Sequence, residues 1–156
     1  MPDNPQTLAD HLLVEGGRVI DFFNNLKEEQ WEIHIYPLES GWTMHHLLAH
    51  FVSSEIGRKA LISDVCSGGN GAPTNFDIEK FNQREVDWLL DISNTHLLES
   101  FSRERNELIA ITSELKIDDL KSVGNDPYLG ITTLSQMIKL TYRHLQIHLR
   151  EVRRFL

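Results

Sequence analysis

The stretch TTLSQMIKLTYRHLQIHLREVRRF, residues 132–155, decides the fold. Within it Leu134, Ile138, Thr141, Leu145, His148, Val152 and Phe155 recur at alternating intervals of four and three. That rhythm keeps one stripe of a helix facing its neighbours, as the inner seam of a bundle requires. The spacing predicts a helix from residue 132 or 133 to 154. His148 sits on this apolar seam, where an imidazole needs a partner.

Working outward, three more amphipathic stretches carry the same period. Met44, Leu47, Leu48, Phe51, Val52, Ile56, Leu61 and Ile62 predict a second helix ending near Val65, with Ser40 or Thr43 as its cap. The Ser67-to-Pro73 run is rich in glycine and reads as a loop, a plain connection before it reads as a lid. Phe81, Val86, Leu89, Leu90, Leu97, Leu98, Phe101, Leu108 and Ile111 mark a long third helix from residue 77 or 78 to 115. Ser93-Asn94-Thr95 offers a place to divide it. Leu8, Leu12, Val19, Phe22, Phe23 and Leu26 place the first helix from residue 6 or 7 to 27, with Gly16-Gly17 in its middle. A polar stretch over 116–130 turns at Asn125-Asp126-Pro127. No strand pattern stands out, and Ile33-His34-Ile35-Tyr36 is too short to make a sheet. The expectation is an all-α four-helix bundle, formed as one domain over residues 1–156.

Composition bounds the partners. The chain has 156 residues, with 15 Lys and Arg against 23 Asp and Glu, for a net charge of −8. A surface this acidic argues against nucleic acid, because affinity for phosphates needs a basic face. A single cysteine, Cys66, excludes a disulfide framework or a cysteine-based zinc site within the chain and suits a reducing cytoplasm. At the predicted C-terminal end of a helix its thiolate is disfavoured, so it reads as incidental. The first residues lack the pattern of a signal peptide, and no apolar run reaches the ~20 residues of a membrane span.

Eight histidines stand out in so acidic a chain. His144 and His148 are i, i+4 on the last helix, so both rings lie on one face. His46 and His50 repeat the spacing on the second helix. Two imidazoles so placed can converge on one ion. Leu, Leu and Ala between His46 and His50 exclude the zinc-protease signature, which needs Glu directly after the first His. A lone helical histidine is more often a surface or hydrogen-bonded residue, and one pair is weak evidence. Two pairs on two bundle helices weigh more.

The stretch from Trp42 to His50, WTMHHLLAH, resembles the tryptophan-to-histidine motif of the DinB-like superfamily. Arg143-His144-Leu145-Gln146-Ile147-His148 is similar to the family's last-helix motif. Phe81-Asn82-Gln83 and Gly130-Ile131-Thr132-Thr133-Leu134 extend the likeness over nearly the whole chain. The resemblance implies an up-down-down-up bundle, often a homodimer, with His50, His144 and His148 as the metal triad. It leaves His46 as fourth ligand, supporting donor or plain surface. It implies a divalent ion, nickel or zinc foremost, and the use of a low-molecular-weight thiol. Members include mycothiol-dependent isomerases, bacillithiol transferases and hydrolases. In the isomerase pattern a carboxylate pairs with a histidine on the last helix; here position 144 is His, which puts transfer of that specific activity in doubt.

Three readings stand at this point. One is a metal-dependent thiol transferase or hydrolase acting on a small electrophile, a detoxification-type reaction. The second is a metal-binding or stress-response protein without turnover. The third is a bundle whose histidines are structural. Glu55 and Glu151 are the nearby carboxylates, each read first as a solvated helix charge. Trp31, Trp42 and Trp88 read as core or interface anchors, with Trp42 also able to wall a metal pocket.

Overall fold

Apolar periodicity and capping chemistry lay down five α-helices in the computed structural model, which describes residues 2–35 and 41–156. They are α1 (Pro5–Asn24), α2 (Met44–Cys66), α3 (Ile78–Leu89), α4 (Asn94–Ser113) and α5 (Leu134–Val152). The helix starts are chemical. Asn4 Oδ1 accepts from the Thr7 N–H at 2.8 Å, and Thr133 Oγ1 accepts from that of Gln136 at 3.3 Å, each satisfying an orphan first-turn donor. The long third helix divides where Ser93 caps α4 by accepting from His96 N at 3.2 Å. Of the two caps expected for α2, Thr43 holds the N-cap position. Ser40 lies outside the described residues, as does Tyr36.

The directions of the helices follow from who meets whom. On α2 and α4, His45 meets Asn94, Glu55 meets Arg105 and Lys59 meets Glu107, so numbers rise together and the pair is parallel. On α2 and α5, His50 faces His148 while Arg58 reaches Thr141 and Met137, so these run antiparallel. On α1 and α5, Asp3 bonds Ser135, His11 stacks on Tyr142 and Phe22 lies under Arg153, so these are parallel. The bundle of α1, α2, α4 and α5 is therefore up-down-down-up. Helix α3 packs outside it against α2.

Two apolar clusters fill the bundle. One gathers Phe23, Met44, Leu48, Phe51, Phe101 and Leu149 near the start of α2. The other gathers Leu8, Leu12, Ile62, Leu108, Leu134 and Ile138 at the opposite end. Between them lies a charged layer. The Arg105 guanidinium donates to both Glu55 oxygens, at 2.7 and 2.5 Å, and to Leu12 O at 2.9 Å. Neither residue reaches solvent appreciably: Glu55 is 0% and Arg105 3% exposed. The reading of Glu55 as a solvated charge is corrected by this bidentate pair, which ties α2 to α4 and α1.

The polar stretch after α4 also differs from expectation. A 3₁₀ turn over Ile117–Lys121 leads into an antiparallel hairpin of β1 (Val123–Asp126) and β2 (Gly130–Thr133), paired from Val123↔Thr133 to Asp126↔Gly130. Asp126 builds its turn: Oδ1 accepts from Tyr128 N at 2.8 Å and Leu129 N at 3.2 Å. Gly130, at φ +73°, supplies the left-handed residue that closes it. The other carboxylate oxygen pairs with Arg58 of α2 at 2.7 Å, so the hairpin is anchored to the bundle by a buried charge. Among the described residues no helix is long and apolar enough to cross a membrane.

Candidate metal centre

Because α2 and α5 run antiparallel, the first turns of α2 meet the last turns of α5. His50 comes from the former, and His144 and His148 from the latter. Their rings converge: centroids lie 5.4 Å (His50–His144), 5.3 Å (His50–His148) and 4.5 Å (His144–His148) apart. One nitrogen from each lies within 4.8 Å of the others. His144 Nε2 and His148 Nε2 are 3.0 Å apart. Two nitrogens at that separation both reach an ion at bond lengths of about 2.0–2.1 Å.

Burial keeps the cluster neutral. It pushes the His50 imidazole well below its ordinary pKa, and the neighbouring His144 and His148 add to the shift. His144 is lowered to about 3, by burial first and then by His148 and Arg58. Burial lowers His148 as well, against the opposing charge of Glu151. Neutral imidazole is the form that ligates a metal. His50 is 3% exposed, and its Nδ1 is buried with no hydrogen-bond partner among the described residues. A buried polar atom left so is destabilising unless something supplies the missing interaction. The donor set suits zinc, nickel, copper or iron(II) by chemistry.

The remaining histidines have other employment. His46 Nδ1 accepts from the Thr43 N–H at 3.1 Å and lies 2.9 Å from Thr43 Oγ1. It therefore caps its own helix, and the i, i+4 pair that sequence joins to His50 is split between two jobs. His45 uses Nε2 on Leu90 O at 2.9 Å and Nδ1 on the Asn94 side-chain oxygen, pinning α2 to the α3–α4 junction. His11 stacks on Tyr142, His34 bridges Thr43 through its backbone, and His96 is exposed.

Aromatic rings wall the cluster. Trp42 lies 5.4 Å from the His50 ring and stacks on His46. Tyr128, at the hairpin turn, lies 5.5 Å from His144. Trp31 and Trp42 pack on the core. Trp88 is 76% exposed, so the core reading fails for it. Cys66 ends α2, away from the triad, and burial together with Asp119 pushes its thiol up rather than down.

The model of the DinB superfamily matches residues 12–152. The chain belongs to the DinB superfamily. Among solved structures, the crystal structure of the mycothiol-dependent maleylpyruvate isomerase superposes with a TM-score of 0.78 at 16% identity, covering 96% of this chain and 60% of that one. At that identity the likeness speaks for the DinB fold alone, and this chain spans under two-thirds of the isomerase. No curated protein matches by sequence. The family and its bundle thus stand as the sequence led us to expect.

Two residues central to this region escaped sequence reasoning. Arg58 donates from Nη2 to Met137 O at 2.8 Å and from Nε to Thr141 Oγ1 at 3.3 Å, besides pairing with Asp126. Tyr128 gave no signal, because a tyrosine in a polar turn has no distinguishing spacing. Arg58 gave a faint one, a cation in register with Phe51, Val52 and Ile62 on the buried face of α2.

Proposed function

We propose that this DinB protein holds a divalent ion, zinc or nickel, on His50, His144 and His148. The reading further takes it to be a metal-dependent thiol transferase or hydrolase acting on a small electrophile. The convergence of three neutral imidazoles from two antiparallel helices, one with an orphaned buried nitrogen, supports it. Such an ion, bound by three protein ligands, keeps open positions and acidifies a thiol or water held there. The chain supplies the rest. Burial holds the rings in their ligating form, the cap at Thr43 and His46 fixes where α2 begins, and Trp42 and Tyr128 shield the cluster from bulk water. His144 is neutral where the isomerase pattern has a carboxylate, so an ion held by these residues would keep its full charge and would favour an anionic partner. On this reading the protein works in a reducing cytoplasm, as a homodimer.

Elemental analysis of untagged protein beside His50→Ala and His148→Ala tests it. The expected result is about one ion per chain, lost in both variants. Turnover is then sought with the ion-loaded protein, low-molecular-weight thiols and small electrophiles. Stoichiometric metal without turnover would leave a binding protein. No metal and no uptake of zinc or nickel by folded protein would end the proposal.

A further inference from the structure

A pocket of about 300 Å³ opens between the middle of α2, the start of α3, the 71–76 loop and the hairpin turn. Its wall is mostly apolar, with Gly57, Leu61, Pro73, Phe76, Phe81 and Tyr128 around it. Four polar residues of α2 interrupt this wall, Ser53, Ser54, Arg58 and Asp64, and of these Ser53 and Arg58 are the buried ones. They are 4% and 6% exposed. Ser53 Oγ and Arg58 Nη1 are buried with no hydrogen-bond partner among the described residues. Native proteins rarely leave such donors unused, so a partner belongs there.

The rest of Arg58 is committed to Met137, Thr141 and Asp126. Its positive charge is already balanced by Asp126, and Asp64 adds another carboxylate to the pocket rim. The open donors therefore suit a neutral acceptor better than a second anion. Tyr128 joins this pocket to the triad, since its ring lines the one and lies 5.5 Å from His144 of the other. Asn82 of α3 holds that ring by donating to its hydroxyl oxygen at 3.1 Å. Ser53 follows His50 by three residues, on the same face of α2.

We propose that this pocket binds the substrate, and that the substrate is an uncharged compound with a flat apolar body and one carbonyl-type oxygen. That oxygen accepts from the Ser53 hydroxyl and Arg58 Nη1, while the apolar body lies against Phe76, Phe81 and Tyr128. The word substrate rests on the catalytic reading above; the binding does not.

Acetophenone, ethylbenzene and benzoate serve as probes, titrated by NMR into wild type, Ser53→Ala, Gly57→Leu and His148→Ala. A Cβ at Gly57 meets only the Phe81 ring, at 3.8 Å, so α2 tolerates the leucine while its side chain occupies the pocket. Acetophenone is expected to bind about 25-fold tighter than ethylbenzene, about fivefold for each of the two hydrogen bonds, and tighter than benzoate. Ser53→Ala should lower that preference about fivefold while ethylbenzene binding stays. Gly57→Leu should abolish binding of all three. His148→Ala should bind acetophenone as wild type does, so that a failed metal site leaves the pocket test intact. Ethylbenzene matching acetophenone, benzoate exceeding it, or undiminished binding by Gly57→Leu would overturn the proposal.

Discussion

Replacing Arg105 with methionine tests whether the charged layer holds the bundle together. Arg105→Met removes two bonds to the Glu55 carboxylate, at 2.7 and 2.5 Å, and one to Leu12 O at 2.9 Å. It also strands a carboxylate that has no exposure to water. Removing one partner of a buried pair costs about 3–5 kcal/mol. At about 2–4 °C per kcal/mol for a chain of this size, the melting temperature falls by about 6–20 °C. Replacing both partners is different, because the desolvation of two charges disappears along with their attraction. Glu55→Leu combined with Arg105→Met should therefore recover to within about 1 kcal/mol of wild type. Urea unfolding followed by far-UV circular dichroism measures all three, with Glu55→Leu completing the cycle. A loss below about 1 kcal/mol in Arg105→Met, or a double variant as weak as the single, would refute the reasoning.

The two adjacent glycines of α1 should respond oppositely. A Cβ at Gly16 would lie 2.9 Å from Arg105 Cγ, so Gly16→Ala costs about 1–3 kcal/mol in chemical denaturation. Gly17 faces open space, and Gly17→Ala gains about 0.5–1 kcal/mol by the same measurement. Metal-free protein should be acid-sensitive. All three triad imidazoles titrate below their ordinary value when folded, His144 at about 3, so the unfolded chain takes up protons first. Stability is then complete above about pH 6.5 and is lost as pH falls below it. Thermal melts of chelated protein between about pH 8 and about pH 4 check this, and a flat profile would count against the buried cluster.

The helices were legible because an apolar seam has a period, and Leu134 to Phe155 displays it without interruption. The division at Ser93 was legible as a cap but ambiguous, since apolar residues continue on both sides of it. The hairpin was not legible. Its strands have four residues each, and what anchors it is Asp126 meeting Arg58, two residues 68 positions apart with no shared local pattern. Glu55 and Arg105 look like ordinary helix charges one at a time. Their positions give them away: Arg105 falls in the Phe101, Leu108, Thr112 register, and Glu55 in the Val52, Ile62 register. A charge in register with buried residues is either an error of reading or a pair. The clustering of His50, His144 and His148 was legible because two of the three rings share one helix face, whereas the role of His46 depended on where α2 starts.

The parallel run of α2 and α4 has an architectural consequence. A chain that must begin its next helix at the same end has to travel back the length of the bundle. Residues 67–93 make that return journey, and their 71–82 portion, with the hairpin turn, forms the outer half of the pocket whose inner half is α2. On the proposed function, reactivity and selectivity would thereby be built on separable parts of the chain. If the pocket takes a guest as proposed, rewriting the returning segment would exchange one class of guest for another and leave the three imidazoles where the long helices put them.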